Sequence, residues 1–181
     1  MVSLRHPNLF FVSLCFKQAV TLVMRYTNLF LHLIFVIIST ATAPVLADEI
    51  DDILAGGTAP PGVVFEVVSG DSDLLKDVLP AIQNNIKRLR KRFPGLDIAI
   101  VTHGEEQFAL TTNNRENDPK LHTIAQTLVD DQQVSLHVCG TYATWNGVST
   151  EEFPEFVNVA AAGPAQINDY RALGYILITL P

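Results

Sequence analysis

Apolar and polar positions alternate between two periods along most of the chain. Val63 to Val68 is a near-continuous apolar run broken only by Glu66, between Pro61-Gly62 and Ser69-Gly70. Such a run suits a strand covered on both faces. From Asp71 to Phe93 the period changes to that of a helix. Leu74, Leu75, Val78, Leu79, Ile82, Ile86 and Leu89 fall on one side. Pro80 lies inside this stretch and predicts a kink or a helix restarting there, and Pro94-Gly95 ends it. Asp97 to Thr102 reads as a second strand and Thr111 to Asp118 as a polar surface loop. Asp118-Pro119 is a helix start, with a capping carboxylate before proline at the first helical position. Leu121, Ile124, Ala125, Leu128 and Val129 continue that helix. Val134 to Val138 predicts a third strand, Phe156 to Ala160 a fourth and Tyr175 to Leu180 a fifth. A helix from Gly163-Pro164 to Gly174 precedes the fifth. Short apolar strands alternating with amphipathic helices predict an α/β domain over 63–181, with a parallel sheet and helices on both faces.

The N-terminal region follows different rules. Leu29 to Ile38 is apolar except for His32, follows Met24-Arg25, and leads through Ser39–Thr42 to Ala43-Pro44-Val45-Leu46-Ala47. A positive start, a short apolar core and a small-residue exit form the layout of a secretory signal peptide. Residues 1–47 are expected to be a signal region, cleaved after Ala47. Residues 1–23 are surplus to it and fall upstream of a start at Met24. Ten apolar residues are too few to span a bilayer of roughly 30 Å, and Pro44 and the threonines weaken an uncleaved anchor. Residues 48–62 are acidic, then rich in Gly and Pro, and read as a flexible linker. The expected location is periplasmic or secreted, with no stable membrane span after cleavage.

Charge sharpens this division. The chain carries 12 basic and 19 acidic residues, net −7. Arg5, Lys17 and Arg25 are the only charges before Asp48, so the remainder is net −10. Such a body repels a phosphate backbone, and no nucleic-acid partner is expected. Five of its basic residues cluster in Lys87-Arg88-Leu89-Arg90-Lys91-Arg92. Their position at a helix C-terminus offsets the helix dipole. An anionic membrane surface is the second reading of the cluster. Glu105-Glu106 and Glu151-Glu152 read as solvated loop carboxylates.

Candidate chemistry gathers at the carboxyl ends of the strands, where open parallel sheets meet ligands. Cys139 ends the third strand and is the only cysteine after Cys15, so a mature chain forms no intrachain disulfide. If Gly140 to Trp145 is helical, its free N–H groups face the sulfur and favour thiolate over thiol. Gly140 leaves the sulfur uncrowded, and Tyr142 and Trp145 are placed to wall a small pocket. The competing reading is a buried cysteine filling a strand end. His103, in Thr102-His103-Gly104, is placed to pair with the thiolate or bind a metal. A site of His103, His137 and Cys139 can be drawn, but no dense ligand spacing supports it, and no metal or cofactor is expected. His137 and His122 read more simply as bonded to nearby backbone.

From Val63 to Leu180 the chain resembles the DsrE/DsrF-like family of sulfur-relay proteins. The matching pieces are Val63–Val68, Ile100-Val101-Thr102-His103-Gly104, His137-Val138-Cys139-Gly140 and Gly163–Ile167 with Tyr170, Gly174 and Tyr175. The resemblance implies a three-layer α/β/α sandwich with a five-stranded parallel sheet, the last strand beside the first. It implies a homotrimer or hexamer. It implies that Cys139 accepts sulfur as a persulfide and passes it on. The residues themselves give His103, Gly104, Gly140, Tyr142 and Trp145 as the expected binding positions. Activity is then at most that of a sulfurtransferase-like carrier. Relay members work in the cytoplasm, whereas this chain carries an export signal, so sulfur donor and acceptor do not carry over. The alternative is an exported, non-catalytic module that binds a metal or small ligand through His103.

Overall fold

Both faces of the first apolar run are covered. In the computed structural model, which describes residues 45–180, β1 spans Gly62–Val67, and Val63, Val64, Phe65 and Val67 are fully buried. A helix precedes it, α1 (Val45–Ala55). It is followed by α2 (Leu74–Arg92), β2 (Asp97–Thr102), α3 (Pro119–Asp130), β3 (Ser135–Cys139), α4 (Gly140–Trp145), β4 (Asn158–Ala160), α5 (Gly163–Ala172) and β5 (Ile176–Leu180). The five strands form one sheet in the order β4-β3-β2-β1-β5, and every neighbouring pair is parallel.

Period-two alternation divides the strand residues between two cores. Phe65, Ile100, Leu136, Val138 and Ile178 join the larger core, which includes Leu75, Leu79, Ile82, Ile86 and Leu89 of α2 and Leu121 and Leu128 of α3. Val64, Ala99 and Val101 face the other way and pack with Ile167 of α5. The result is the three-layer α/β/α arrangement expected from the sequence, with β5 beside β1.

Three local expectations change. Residues 48–55 are not a flexible linker. They belong to α1, where Ile50 is fully buried and Ile53 nearly so, with Leu54 packed beside them. Apolar residues at i, i+3 and i+4 give this acidic segment a stripe that enters the core. Arg88 secures it through Asp51 at 2.5 Å. The irregular stretch is limited to 56–61. α2 also runs through Pro80 as one helix instead of restarting. Its buried Leu75, Leu79, Ile82 and Ile86 on either side of the proline hold it together despite the missing backbone bond. The fourth strand is shorter than expected, with Phe156 and Val157 left outside it. Residues 1–44 of the signal region lie outside the described residues, and positions 45–47 begin α1. Among the described residues, no helix is long and apolar enough to cross a membrane.

Candidate functional site at the carboxyl ends of β1 to β3

The chain turns directly from β3 into α4 at Cys139. This residue is extended (φ −89°, ψ 108°), and its Sγ accepts a hydrogen bond from the Tyr142 backbone N–H at 3.4 Å. The thiol therefore occupies the position that serine or aspartate takes at many helix starts. Cys139 is 5% exposed. Gly140 opens α4 and is buried against β4, whose Ala160 is the register partner of Cys139.

A 3₁₀ segment, Glu105–Leu110, holds this turn in place. Each of its first three residues has a separate task. Glu105 accepts the Tyr142 hydroxyl hydrogen bond at 2.6 Å. That bond to a carboxylate raises the Tyr142 hydroxyl above its ordinary pKa, and the ring also stacks on Phe108 at 5.8 Å. Glu106 is fully buried. Its carboxylate accepts from Ser69 N (2.8 Å), Thr102 Oγ1 (2.5 Å), His103 N (3.1 Å) and Gly104 N (2.9 Å). The donors gather where β1 and β2 end: the His103 N–H is shared with Val67 O at 3.2 Å, and Glu106 is the acceptor for the Ser69 and Gly104 N–H groups and the Thr102 hydroxyl. Gly104 approaches so closely that an added Cβ would collide with Ser69 and the Glu106 carboxylate. Gln107, also fully buried, accepts from Cys139 N at 2.7 Å and donates to Cys139 O at 3.4 Å.

The expectation that Glu105-Glu106 is a solvated pair is thus overturned: one carboxylate is buried and the other holds a tyrosine. Nothing in the adjacent glutamates alone signals this. The available clue is the apolar Phe108-Ala109-Leu110 that follows, which shows the chain returning to the core. Glu151-Glu152 lies at the surface, with Glu151 exposed. Glu152 completes a capping box with Ser149 on the surface.

The structure commits His103 to a carboxylate. Its Nε2 lies 2.9 Å from Glu66 Oε1, and Glu66 Oε2 accepts from Thr179 Oγ1 at 2.9 Å. This pairing, across β1, β2 and β5, replaces the expected pairing with the thiolate. Glu66, the one break in the first apolar run, is the residue that the sequence reading passed over. His137 bonds through Nε2 to the Tyr170 hydroxyl at 2.9 Å, a side chain rather than the expected backbone group. His122 does bond to backbone, donating to Ala109 O at 3.1 Å. Among the described residues, no three His, Cys, Asp or Glu side chains come together to hold a metal, so the set of His103, His137 and Cys139 is not assembled.

Trp145 is 78% exposed and lines a shallow groove with Gly140, Thr141, Thr144, Val159 and Ala160. Tyr142 is turned instead to Glu105 and Phe108, so the two aromatics do not wall one pocket. The basic cluster is largely tied into the fold. Arg88 pairs with Asp51, Arg90 donates to Leu96 O and Gln132 O, and Arg92 donates to Gly56 O and stacks on Phe93.

Burial holds both His122 and His137 below the ordinary histidine pKa of 6.5. The unfolded chain therefore takes up protons first as pH falls. The stability associated with neutral imidazoles is complete above about pH 6.5 and is lost below it. Urea unfolding midpoints should drop between about pH 7 and pH 5, and the double variant His122→Asn/His137→Gln should flatten that slope. An unchanged slope in the double variant would remove these two residues from the account.

No family model matches the chain, and no curated protein matches it. Solved structures do. The protein of unknown function MTH1491 from Methanobacterium thermoautotrophicum is 18% identical, with a TM-score of 0.52, over 65% of this chain and 97% of that one. The ychN protein from E. coli is 16% identical, with a TM-score of 0.45, over 66% of this chain and 99% of that one. The likeness to MTH1491 is one of fold. The architecture shared is a parallel α/β fold, here with five strands, as expected from the sequence.

Proposed function

We propose that this protein is an exported sulfur carrier in which Cys139 holds sulfane sulfur as a persulfide. The observation that carries the reading is the placement of the Cys139 sulfur. It sits at the carboxyl end of a sheet strand with the Tyr142 N–H directed at it. That donor is placed to hydrogen-bond the sulfur through an exchange at Cys139. In the loading step the Cys139 thiolate attacks the outer sulfur of an organic persulfide R–S–SH. A new S–S bond forms to Cys139 as the donor's S–S bond breaks, and R–S⁻ leaves with the electron pair. The outer sulfur keeps its proton, and the total oxidation state is unchanged. Attack by an acceptor thiolate on the outer sulfur runs the same exchange in reverse and frees Cys139.

Export rests on the signal layout of residues 1–47, and self-association rests on the family resemblance. Light scattering should give a multiple of the single-chain mass, most simply a trimer. N-terminal sequencing from the native host should begin at Asp48. A single-chain mass at micromolar concentration or an intact Met24 would contradict these parts.

The sulfur chemistry is tested by intact-mass measurement after incubation with polysulfide. The protein should gain the mass of whole sulfur atoms, located at Cys139 and removed by a reducing thiol. No gain from polysulfide, thiosulfate or an organic persulfide would end the carrier reading.

A further inference from the structure

The end of β3 contains a backbone gap. β2 and β3 pair up to Thr102↔Val138, where β2 ends. The next residue on that side, His103, turns away, its N–H bonding to Val67 O at 3.2 Å and Glu106 Oε1 at 3.1 Å. β3 continues one residue further, to Cys139. The N–H and C=O of Cys139 thus lie beyond the last β2 partner. Both are met by a single side chain, the amide of Gln107. A primary amide carries the same donor and acceptor as a peptide unit. Gln107 thereby extends the ladder by one step with a side chain in place of a strand.

We infer that Gln107 is the positioning residue of the Cys139 thiol: by holding the Cys139 peptide extended, it sets the sulfur under the Tyr142 N–H. The amide occupies both Cys139 groups at once without a change of charge, and an aliphatic chain satisfies neither group. Gln107 is fully buried, so water does not readily replace it. The cost of a lost partner falls on Cys139 and on the turn into α4. The inference rests on the reading of Cys139 as the reacting thiol, but its readout does not require sulfur transfer.

The test compares the full-length wild type with Gln107→Leu, Gln107→Met and Gln107→Asn. Iodoacetamide labelling of Cys139 is read at neutral pH. Leu and Met remove both groups at similar volume. Labelling should slow about tenfold or more in these two. Asn keeps the amide on a shorter stem and should recover part of the rate. Circular dichroism must match wild type in the variants compared. Labelling within about twofold of wild type in all three overturns the inference, whether or not the wild type carries sulfur. Failure of all three to fold also overturns it, since Gln107 is then a core residue only. A wild type that labels fast and takes no sulfur ends the carrier proposal, while slower Leu and Met variants still uphold Gln107.

Discussion

Replacing Glu106 with alanine is expected to lower the unfolding free energy by about 3–5 kcal/mol. The Ser69 and Gly104 N–H groups and the Thr102 hydroxyl lose their shared acceptor at once, while the His103 N–H keeps Val67 O. An unsatisfied buried donor costs roughly 1–3 kcal/mol, and water entering the space left by the side chain keeps the three from summing in full. Against a typical domain stability of about 5–15 kcal/mol, the loss is large enough to leave a fraction unfolded at 37 °C. Glu106→Gln is expected to be milder but still destabilising, because the amide keeps one oxygen and turns an NH₂ toward groups that are themselves donors. Urea unfolding of the three proteins checks the order. A Glu106→Ala midpoint equal to wild type would mean that the strand ends do not depend on this carboxylate.

Cys139→Ser and Cys139→Ala are expected to fold and to lose sulfur loading completely. Serine is a strong helix N-cap and takes over the bond from Tyr142 N. Its variant should stay within about 1 kcal/mol of wild type. Alanine removes the cap and should cost about 0.5–2 kcal/mol. Neither offers a nucleophilic sulfur, so intact mass after polysulfide treatment should match the untreated variant. Retained sulfur on Cys139→Ser would move the carrier role elsewhere in the chain.

Much of the fold was legible because its signals are local. Asp118-Pro119 announces a helix, and Asp118 Oδ1 does accept the Leu121 N–H at 3.1 Å. Val63–Val67 announces a covered strand from five consecutive residues. The place of Cys139 at a strand end is legible for a similar reason, since a cysteine before glycine closes an apolar run in two positions. What remained hidden depends on partners far apart in sequence. Glu106 reads like any loop carboxylate until Ser69, 37 residues earlier, is placed beside it by β1 and β2. His103 and Glu66 are separated by the same interval, and Gln107 meets Cys139 across 32 residues. Trp145 lies in a six-residue helix, too short for periodicity to say which way it faces. In α1, the acidic residues and the following glycines outweighed Ile50 and Ile53, whose burial depends on β5 and α2 being in place.

The central claim is that Cys139 is a working thiol despite being 5% exposed. The most direct measurement is iodoacetamide labelling of the folded, full-length protein at neutral pH, compared with the same protein unfolded in urea. Unfolding places the cysteine in water as an ordinary thiol with a pKa of about 8.5, and this sets the reference rate. A working thiol held under the Tyr142 N–H should label in the folded protein at least as fast as in the unfolded chain. Labelling that begins only after unfolding would make Cys139 a buried strand-end residue and contradict the carrier account.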